Sequence, residues 1–375
     1  AALLGQTPCR RMDEHSERSA QYRDPNLRGV VFHSLKFCDF CGMEYAEQKN
    51  RLTVPVLKLE TDYTRQSSVQ IGTRLEAFRE TLKGLYGAER DAEAPVSKGE
   101  KPYVAGIDSG SASTDVVILD WEKRIVASRI IPTGGGAGAS AEEAFRSALQ
   151  EAGIRREEVG SVVTTGYGRE YIGDANGTVT EITCHAKGAF FLNPAVRTII
   201  DIGGQDSKVI RIDETGAVKN FVMNDKCAAG TGRFLEMTAR ALGLSLGEMC
   251  ALGLSWKENV VISSMCTVFA ESEVVSLVAQ NKALPDIIHG LCNAVASKTA
   301  ALAGRLQPEG EYMMTGGVAK NAGVVRALEE KLGKKLQVCA EAQLCGALGA
   351  ALFAQEQKNP AYLHFHMTEK CKYKN

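Results

Sequence analysis

Short hydrophobic runs between residues 103 and 224 predict β-strands. YVAGIDSGSASTDVVILD contains an apolar run, a polar glycine turn and a second apolar run, and RIVASRIIP adds a third. TIIDIGGQDSKVIRID and VKNFVMN repeat this order about ninety residues later. Apolar runs bounded by turn residues are typical of strands, so each segment predicts a three-stranded unit. The repeat predicts an internal duplication, with two similar lobes facing each other across a cleft.

Helical spacing of apolar residues predicts helices outside these strands. SAEEAFRSALQEAG predicts a helix capped by Ser140, and SVQIGTRLEAFRETLKGLYG predicts an amphipathic helix. ERDAEAPVSKGEKP, which lies between the second helix and the strands, is charged and contains proline, as linkers do. The sequence therefore predicts an N-terminal α/β fragment at 1–90, a linker at 91–102, a first lobe at 103–196 that a helix at 341–357 completes, and a second lobe at 197–340.

Charge and composition exclude several classes of function. The formal net charge of the 375 residues is −1, which gives no overall field for nucleic acid or an anionic membrane. The sequence shows neither a long apolar segment nor a secretory signal, and we expect a cytoplasmic protein. The eleven cysteines are too scattered for a disulfide framework, so buried thiols, metal ligation or redox chemistry must explain them.

Acidic residues end two of the predicted strands, and small residues follow them. Asp108 ends the first strand of the first unit, and Asp201 holds the corresponding place in the second. Backbone N–H groups of such turns can approach a polyphosphate because no bulky side chain intervenes. The two carboxylates can hold Mg²⁺ and its water ligands.

A third glycine turn, MTGGVAKN, ends a late strand and opens a helix, as expected beside an adenosine group. Each turn alone is better explained by an ordinary hairpin, but the three in this order predict a nucleotide cleft. The candidate nucleotide-binding residues in these turns are Gly110, Ser111, Ser113, Thr114, Gly203, Gly204, Gly316 and Gly317.

Five further polar residues fall in or near these motifs. Gln205 is a candidate for positioning the hydrolytic water, and Asp206 either joins the Mg²⁺ site or caps the hairpin. Lys187 is a candidate for reaching phosphate. Asn321 either faces the nucleotide or satisfies the first turn of its helix. We interpret His185 as a hydrogen-bonded core histidine.

Seven segments resemble one known family: GIDSGSASTD, VVTTGYGRE, TEITCHAKGA, DIGGQDSK, NDKCAAGTGRFLE, CTVFAESEV and TGGVAKN. They are similar to the acetate kinase, Hsp70 and actin superfamily. Within it they resemble the activators of 2-hydroxyacyl-CoA dehydratases and the related BadF/BadG/BcrA/BcrD ATPases. The resemblance implies an α/β fold of two ribonuclease-H-like lobes around a cleft for ATP, with Mg²⁺ at Asp108. It also implies that Asp108, Asp201 and Gln205 are catalytic.

Two cysteines, Cys227 and Cys266, each precede a predicted helix. A [4Fe–4S] cluster normally takes four thiolates, which a homodimer would supply from two cysteines per chain. The resemblance implies this arrangement, and with it an ATP-driven one-electron donor. Ferredoxin or flavodoxin would supply the electron to this protein. A dehydratase component or a related iron–sulfur reductase would accept the electron from it. The alternative is a pair of buried cysteines that act as small apolar residues.

The N-terminal segment has a resemblance of its own. GVVFHSLKFCDF and LKLETDYTRQSSVQIGTRLEAF resemble the C-terminal end of the dehydratase D-component. That resemblance implies that Cys38 corresponds to a cluster ligand of the component. Cys41 departs from the pattern and creates a CxxC pair, which is compatible with zinc, iron–sulfur, redox chemistry or none of these. The component's earlier ligands are missing from the sequence, so we expect no complete dehydratase site within it.

Two other functions remain open at this stage. A small-molecule kinase of the same fold, such as an amino-sugar kinase, would need a catalytic base beside the γ-phosphate and leaves Cys227 and Cys266 unexplained. A nucleotide-switched chaperone or scaffold would need a client-binding domain, for which residues 1–90 lack repetitive strands. The substrate of the activated enzyme cannot be read from this sequence.

Overall fold

The computed structural model describes residues 21–35, 39–61, 68–86, 101–173, 175–225, 228–262 and 267–357. The chain divides into two compact units, Ala1–Ala88 and Glu89–Asn375. Within the described ranges, no helix is both long enough and apolar enough to cross a lipid bilayer.

The first unit is a small α/β structure. Strands β1 and β2 pair in parallel along their whole length, and α1 is the connection between them that parallel pairing requires. Phe32, Leu57, Leu59 and Phe78 are buried and form part of its core. The described elements are β1 (Val30–Leu35), α1 (Asp39–Gln48), β2 (Val56–Thr61) and α2 (Ser68–Tyr86).

The second unit begins with a five-stranded sheet in the order β5-β4-β3-β6-β7. Strand β3 is central, antiparallel to β4 and parallel to β6. This first lobe contains β3 (Tyr103–Ser109), β4 (Ser113–Asp120), β5 (Ile125–Pro132), α3 (Ala137–Ala152), β6 (Val159–Thr165), β7 (Gly177–Thr178) and α4 (Glu181–Leu192).

A second five-stranded sheet follows in the order β10-β9-β8-β11-β12. Its helices bury one large apolar core against the sheet. This second lobe contains β8 (Val196–Ile202), β9 (Ser207–Ile212), β10 (Val218–Asn224), α5 (Gly232–Ala241), α6 (Leu246–Leu252), α7 (Thr267–Ala279), α8 (Leu284–Ala303), β11 (Glu311–Thr315), α9 (Ala322–Leu332) and β12 (Leu336–Gln337), and α10 (Cys345–Gln357) comes after it.

The two sheets repeat one topology, three antiparallel strands followed by two parallel ones. Asp108 of β3 pairs in register with Thr165 of β6, and Asp201 of β8 pairs in the same way with Thr315 of β11. The predicted fold of two duplicated lobes is therefore confirmed. The duplication places the two aspartates at equivalent sheet positions.

Helix α10 packs on β3, β6 and α4 of the first lobe. Small residues make this packing close. A Cβ atom at Gly106 of β3 would collide with the carbonyl oxygen of Ala347, and one at Gly349 would collide with that of Cys184 in α4. Helix α10 therefore covers one face of the first sheet at nearly backbone-to-backbone distance.

The predicted N-cap of α3 is wrong. The helix begins at Ala137, one turn earlier than expected, because the small residues before Ser140 also adopt helical geometry. Gly136 is the N-cap, and the Ser140 hydroxyl instead accepts a hydrogen bond of 3.1 Å from the backbone N–H of Gly134. Ser140 therefore secures the β5–α3 connection from inside the helix.

Candidate functional site

His185 lies between the aspartates that end the central strands of the two lobes. Its Nδ1 is 3.4 Å from Oδ1 of Asp201, and its Nε2 is 3.9 Å from Oδ2 of Asp108. Nδ1 also lies 3.2 Å from the Thr315 hydroxyl. The histidine is buried, as predicted, but it belongs to the site and not only to the core. Helix α4 thus brings the two carboxylates together through one imidazole.

A buried lysine lies beside this histidine. The Nζ atom of Lys208 in β9 is 2.6 Å from Oε1 of Glu181, 2.8 Å from Oδ2 of Asp206 and 3.2 Å from Oδ2 of Asp201. The lysine side chain is only 1% exposed. Burying a charge is costly unless it is paired, and these three carboxylates supply the pairing. Sequence reasoning missed both Lys208 and Glu181 as members of the site.

The two central aspartates differ in their electrostatics. Burial raises the pKa of Asp108 well above its usual range, and the nearby Glu181 carboxylate raises it further. Burial also acts on Asp201, but His185 and Lys208 outweigh it and hold the pKa of Asp201 below its usual value. Asp201 is therefore a fixed anion, whereas Asp108 needs a positive charge before it ionises readily.

Two further carboxyl groups carry strongly shifted pKa values. Burial raises the pKa of Asp206 to about 7, against the opposing effect of Lys208. Burial also raises the pKa of Asp115, the neighbour of Asp108 on β4, to about 7. Lys208 itself keeps a pKa well above its usual value because the attraction of its three carboxylates exceeds the penalty of burial. The site is therefore rich in carboxyl groups whose charge depends on a cation.

The buried oxygens of this cluster fit a hard cation. Ligand atoms of Asp108, Glu181 and His185 lie within 4.8 Å of one another, and so do those of Glu181, Asp201 and Asp206. Asp108 Oδ1 is buried and has no hydrogen-bond partner among the described residues. Oxygen ligands with an unsatisfied carboxylate are suited to Mg²⁺, which keeps several waters and takes one or two carboxylates from the protein.

The predicted phosphate turns are built alike in the two lobes. Gly110 N–H donates to the Ser113 carbonyl over 3.0 Å, and Gly203 N–H donates to the Asp206 carbonyl over the same distance. The turns also approach each other, since a Cβ atom on Gly204 would lie 2.5 Å from the Ala112 Cβ. The two hairpins therefore face each other across the cleft.

Three side chains near the first turn make contacts that fix their positions. The Ser113 hydroxyl accepts a hydrogen bond of 3.2 Å from Nε2 of Gln343. The Thr114 hydroxyl is buried and lies 2.8 Å from that of Thr133, so it secures the turn from inside. Ser111 Oγ lies close to Gly204 of the other hairpin. A Cβ atom on Gly204 would be 3.2 Å from this oxygen.

The third turn approaches Asp201 from β11. Gly316 has a positive φ of 84°, and a Cβ there would lie 2.8 Å from Oδ1 of Asp201. Gly317 follows it and begins a 3₁₀ turn. The Asn321 side chain accepts a hydrogen bond of 3.1 Å from Val324 N–H and so caps α9. All three glycine turns therefore converge on the carboxylate cluster.

Two candidates lie apart from the buried cluster. Gln205 is exposed at the tip of the β8–β9 turn. Lys187 pairs with Glu356 of α10, and its Nζ is 5.4 Å from the centroid of the Phe353 ring. The lysine that contacts the carboxylates of the cleft is Lys208, not Lys187.

Helix α5 is attached to the second phosphate turn. The backbone N–H groups of Gly232 and Arg233 donate to the carbonyls of Gly203 and Gly204, over 2.9 and 2.8 Å. The Thr231 hydroxyl also donates to the Gly204 carbonyl over 2.9 Å. Three hydrogen bonds therefore attach the start of α5 to the turn.

Comparison with known proteins decides the family. The BadF/BadG/BcrA/BcrD ATPase family matches residues 105–354, which span both lobes and all three turns. The chain belongs to the BadF/BadG/BcrA/BcrD ATPase family. It is 50% identical over 254 residues to the activator of lactoyl-CoA dehydratase of Anaerotignum propionicum, covering 68% of this chain and 98% of that protein. The kinase alternative is not favoured.

Two solved structures of dehydratase activators and their components support this family assignment. The activator of the 2-hydroxyisocaproyl-CoA dehydratase from Clostridium difficile with bound ADPNP has a TM-score of 0.67 at 40% identity, covering 73% of this chain and 98% of that one. Component A of the (R)-2-hydroxyglutaryl-CoA dehydratase of Acidaminococcus fermentans has a TM-score of 0.66 at 44% identity. The match covers 68% of this chain and 98% of that one. The expected resemblance and its ATPase class are confirmed.

The first unit of this ATPase also has a match of its own. Residues 1–82 match the family of the 2-hydroxyglutaryl-CoA dehydratase D-component. The resemblance expected for the N-terminal segment is therefore confirmed. Cys38 lies outside the described residues, and Cys41 belongs to α1.

The two cysteines expected to hold a cluster, Cys227 and Cys266, also lie outside the described residues. The helices that follow them are described: α5 begins at Gly232 and α7 begins at Thr267. The assignment of these cysteines to an iron–sulfur cluster stays a prediction.

Proposed function

We propose that this chain is an ATP-driven one-electron donor that activates a 2-hydroxyacyl-CoA dehydratase or a related iron–sulfur reductase. The observation that carries the proposal is the buried carboxylate cluster between two duplicated lobes, in a chain that is 50% identical over 254 residues to an activator of lactoyl-CoA dehydratase. The name of a second relative, the (R)-2-hydroxyglutaryl-CoA dehydratase activating ATPase, supports the same activity.

ATP binds in the cleft with its phosphates between the two hairpin turns. Backbone N–H groups of these turns and the Ser111 hydroxyl contact the phosphates, and Gly316 lets the third turn approach them. Asp108 and Glu181 would hold Mg²⁺, and the ion would supply positive charge that stabilises the phosphates during hydrolysis. Asp201 stays anionic beside them and would accept a hydrogen bond from water in the cleft. Gln205, at the exposed tip of its turn, positions the attacking water.

Nucleotide binding is linked to electron transfer through α5. Because the N–H groups of Gly232 and Arg233 are bonded to the phosphate turn, a movement of the turn also moves the chain just after Cys227. Cys227 and Cys266 of two chains in a homodimer provide the four thiolates that a [4Fe–4S] cluster requires, and this cluster supplies the transferable electron. Rotation of the lobes on ATP binding would shift the dimer interface.

The partners follow from the same chemistry. Reduced ferredoxin or flavodoxin delivers an electron to the dimer, and the dehydratase component accepts it after ATP has closed the cleft. The match of residues 1–82 to a dehydratase D-component supports this acceptor. A covalent connection between donor and acceptor segments raises their effective concentration.

Iron content tests the proposal. The whole chain, purified without oxygen, is expected to contain about four irons per dimer and to show ATP hydrolysis. Cys227→Ser combined with Cys266→Ser should remove the iron, while the control Cys339→Ser should keep it. A colourless, iron-free wild-type chain that phosphorylates a small substrate would overturn the proposal.

A further inference from the structure

Lys208 and Asp115 occupy equivalent places in the two lobes. Lys208 pairs in register with Asp201 across the β8–β9 hairpin, and Asp115 pairs in the same way with Asp108 across the β3–β4 hairpin. Both side chains are buried. The duplication therefore places a cation beside one central aspartate and an acid beside the other.

The aspartate of the second lobe has partners for both of its oxygens. Asp201 Oδ1 accepts a hydrogen bond of 2.9 Å from Thr315, and Oδ2 accepts one of 3.2 Å from Lys208. In the first lobe, Asp108 Oδ1 and the equivalent Thr165 hydroxyl are buried without a partner among the described residues. Within the same part of the chain, no lysine or arginine forms an ion pair with Asp108.

The ammonium group of Lys208 lies where three carboxylates could hold a metal. The ligand oxygens of Glu181, Asp201 and Asp206 lie within 4.8 Å of one another. Nζ is between 2.6 and 3.2 Å from an oxygen of each. Nζ donates hydrogen bonds to Glu181 and Asp201 and forms an ion pair with Asp206, so the ammonium group contacts all three carboxylates.

We propose that Lys208 is a permanent cation of the second lobe, which blocks metal binding by Glu181, Asp201 and Asp206 together and so confines exchangeable Mg²⁺ to the Asp108 side of the cleft. This inference rests on the proposed function only in taking the cleft as the nucleotide site. A chelator cannot remove a covalently attached cation, and only the ion at Asp108 enters and leaves with the nucleotide.

The physical state of Lys208 supports this role. Its Nζ atom lies between 2.6 and 3.2 Å from oxygens of three carboxylates, and this pairing stabilises the buried ammonium form. A lysine carries one positive charge where Mg²⁺ would carry two, so the cluster of three acids stays net negative and Glu181 can still contribute to a metal on the Asp108 side. Lys208 is thus a positioning residue, since it acts on the metal through the carboxylates.

Counting bound Mn²⁺ tests this assignment. Binding of Mn²⁺ alone to the whole chain is measured by titration with electron paramagnetic resonance of the free ion. We expect Lys208→Gln to bind about one more Mn²⁺ per chain than the wild type, because three carboxylates then lack their cation. Adding Asp206→Asn should remove the extra ion. Lys282→Gln, which breaks a surface ion pair with Glu258, is the matched control and should bind as the wild type does.

A second variant, at the equivalent position of the first lobe, tests the inference if Lys208→Gln does not fold. Asp115→Lys places a lysine beside Asp108, and we expect it to weaken Mn²⁺ binding in the presence of a non-hydrolysable ATP analogue by about tenfold or more. Circular dichroism checks that this variant is folded. An unchanged Mn²⁺ count in folded Lys208→Gln would overturn the inference, and so would unchanged Mn²⁺ affinity in folded Asp115→Lys.

The two proposals fail in different ways. A wild-type chain that binds no ATP analogue contradicts the proposed function, while the Mn²⁺ count of Lys208→Gln still decides the inference. A wild-type chain that binds the analogue, together with a variant that gains no ion, contradicts the inference alone.

Discussion

Thr315 donates a hydrogen bond of 2.9 Å to Asp201. The equivalent residues of the first lobe, Thr165 and Asp108, hold the same register positions, but the hydroxyl of Thr165 and Oδ1 of Asp108 have no partner among the described residues. Burying a polar oxygen without a partner is costly, so this asymmetry is typical of a site that awaits a ligand. The free oxygen of Asp108 is the reason that we propose the first lobe as the metal-binding half.

Replacing Asp108 by asparagine tests this assignment. Asp108→Asn removes the charge of a carboxylate with a free oxygen, and we expect Mg²⁺ affinity in the presence of nucleotide to fall by about 10- to 100-fold. Hydrolysis of ATP as a function of Mg²⁺ concentration measures the change. Glu311→Gln alters a carboxylate at the exposed start of β11 and serves as control. Equal Mg²⁺ dependence in the wild type and Asp108→Asn would exclude Asp108 as a ligand.

Asp115 makes the stability of the metal-free chain depend on pH. Because its pKa is about 7 in the folded chain and about 4 when unfolded, the folded state binds the proton more tightly. The contribution of Asp115 to stability therefore decreases as the pH rises from about 4 to about 7. Asp115→Asn should remove this dependence and raise the free energy of unfolding at pH 8, by up to the order of 4 kcal/mol.

Urea unfolding in the presence of a chelator, at pH 5 and pH 8, measures this effect. Asp286 provides a control, because hydrogen bonds from the backbone of Lys257 and Glu258 lower its pKa. Its stabilising contribution is present above the usual aspartate pKa, so Asp286→Asn should lower the free energy of unfolding about equally at pH 5 and pH 8. An Asp115→Asn chain with the same pH profile as the wild type would contradict the prediction.

Gly349 tests the close packing of α10. A Cβ atom there would collide with the backbone of Cys184, which cannot move aside without shifting α4. We expect Gly349→Ala to lower the free energy of unfolding by about 1–3 kcal/mol or more. Gly247→Ala in α6 is the matched control, since its Cβ would meet only the Ser245 hydroxyl at 4.0 Å. Comparable denaturation midpoints for the two variants would mean that α10 is more loosely packed than described.

Asn321 has a capping role that can be separated from a nucleotide contact. Asn321→Ala removes the acceptor for Val324 N–H and is expected to cost about 1 kcal/mol of stability, while Asn321→Ser keeps an N-capping hydroxyl. Thermal unfolding compares the three chains. The assignment of Asn321 to the nucleotide predicts weaker ATP binding in Asn321→Ser at nearly unchanged stability. Unchanged affinity would leave capping as its role.

The strands and turns of this fold were predictable because their signal is local. An apolar run that ends in Asp108 or Asp201 and then enters a glycine turn contains all the information needed for a hairpin. The small residues before Ser140 were harder to interpret, because glycine and alanine are compatible with both turn and helix. The packing of α10 on the first sheet has no local signal, because it depends on contacts between residues that lie far apart in the sequence.

The members of the carboxylate cluster were only partly predictable. Asp108 and Asp201 followed from strand ends, but a lysine in SKVIRI is normally interpreted as the polar, exposed position of a strand. Lys208 is buried because it pairs with Asp201, with Asp206 and with Glu181, which lies 27 positions earlier and reaches it from α4. His185 has no neighbouring motif that distinguishes a core histidine from a site histidine. These assignments depend on tertiary contacts that local patterns do not contain.

The dependence of the first sheet on α10 has a consequence for biosynthesis. A ribosome releases β3 and β6 more than a hundred residues before it makes Leu348 and Leu352, which cover Val104 and Val163. During that interval one apolar face of the nascent sheet has no cover, and hydrophobic surface of this kind is where chaperones bind and aggregation starts. The first lobe is translated earlier, but its core is completed only after α10 has emerged.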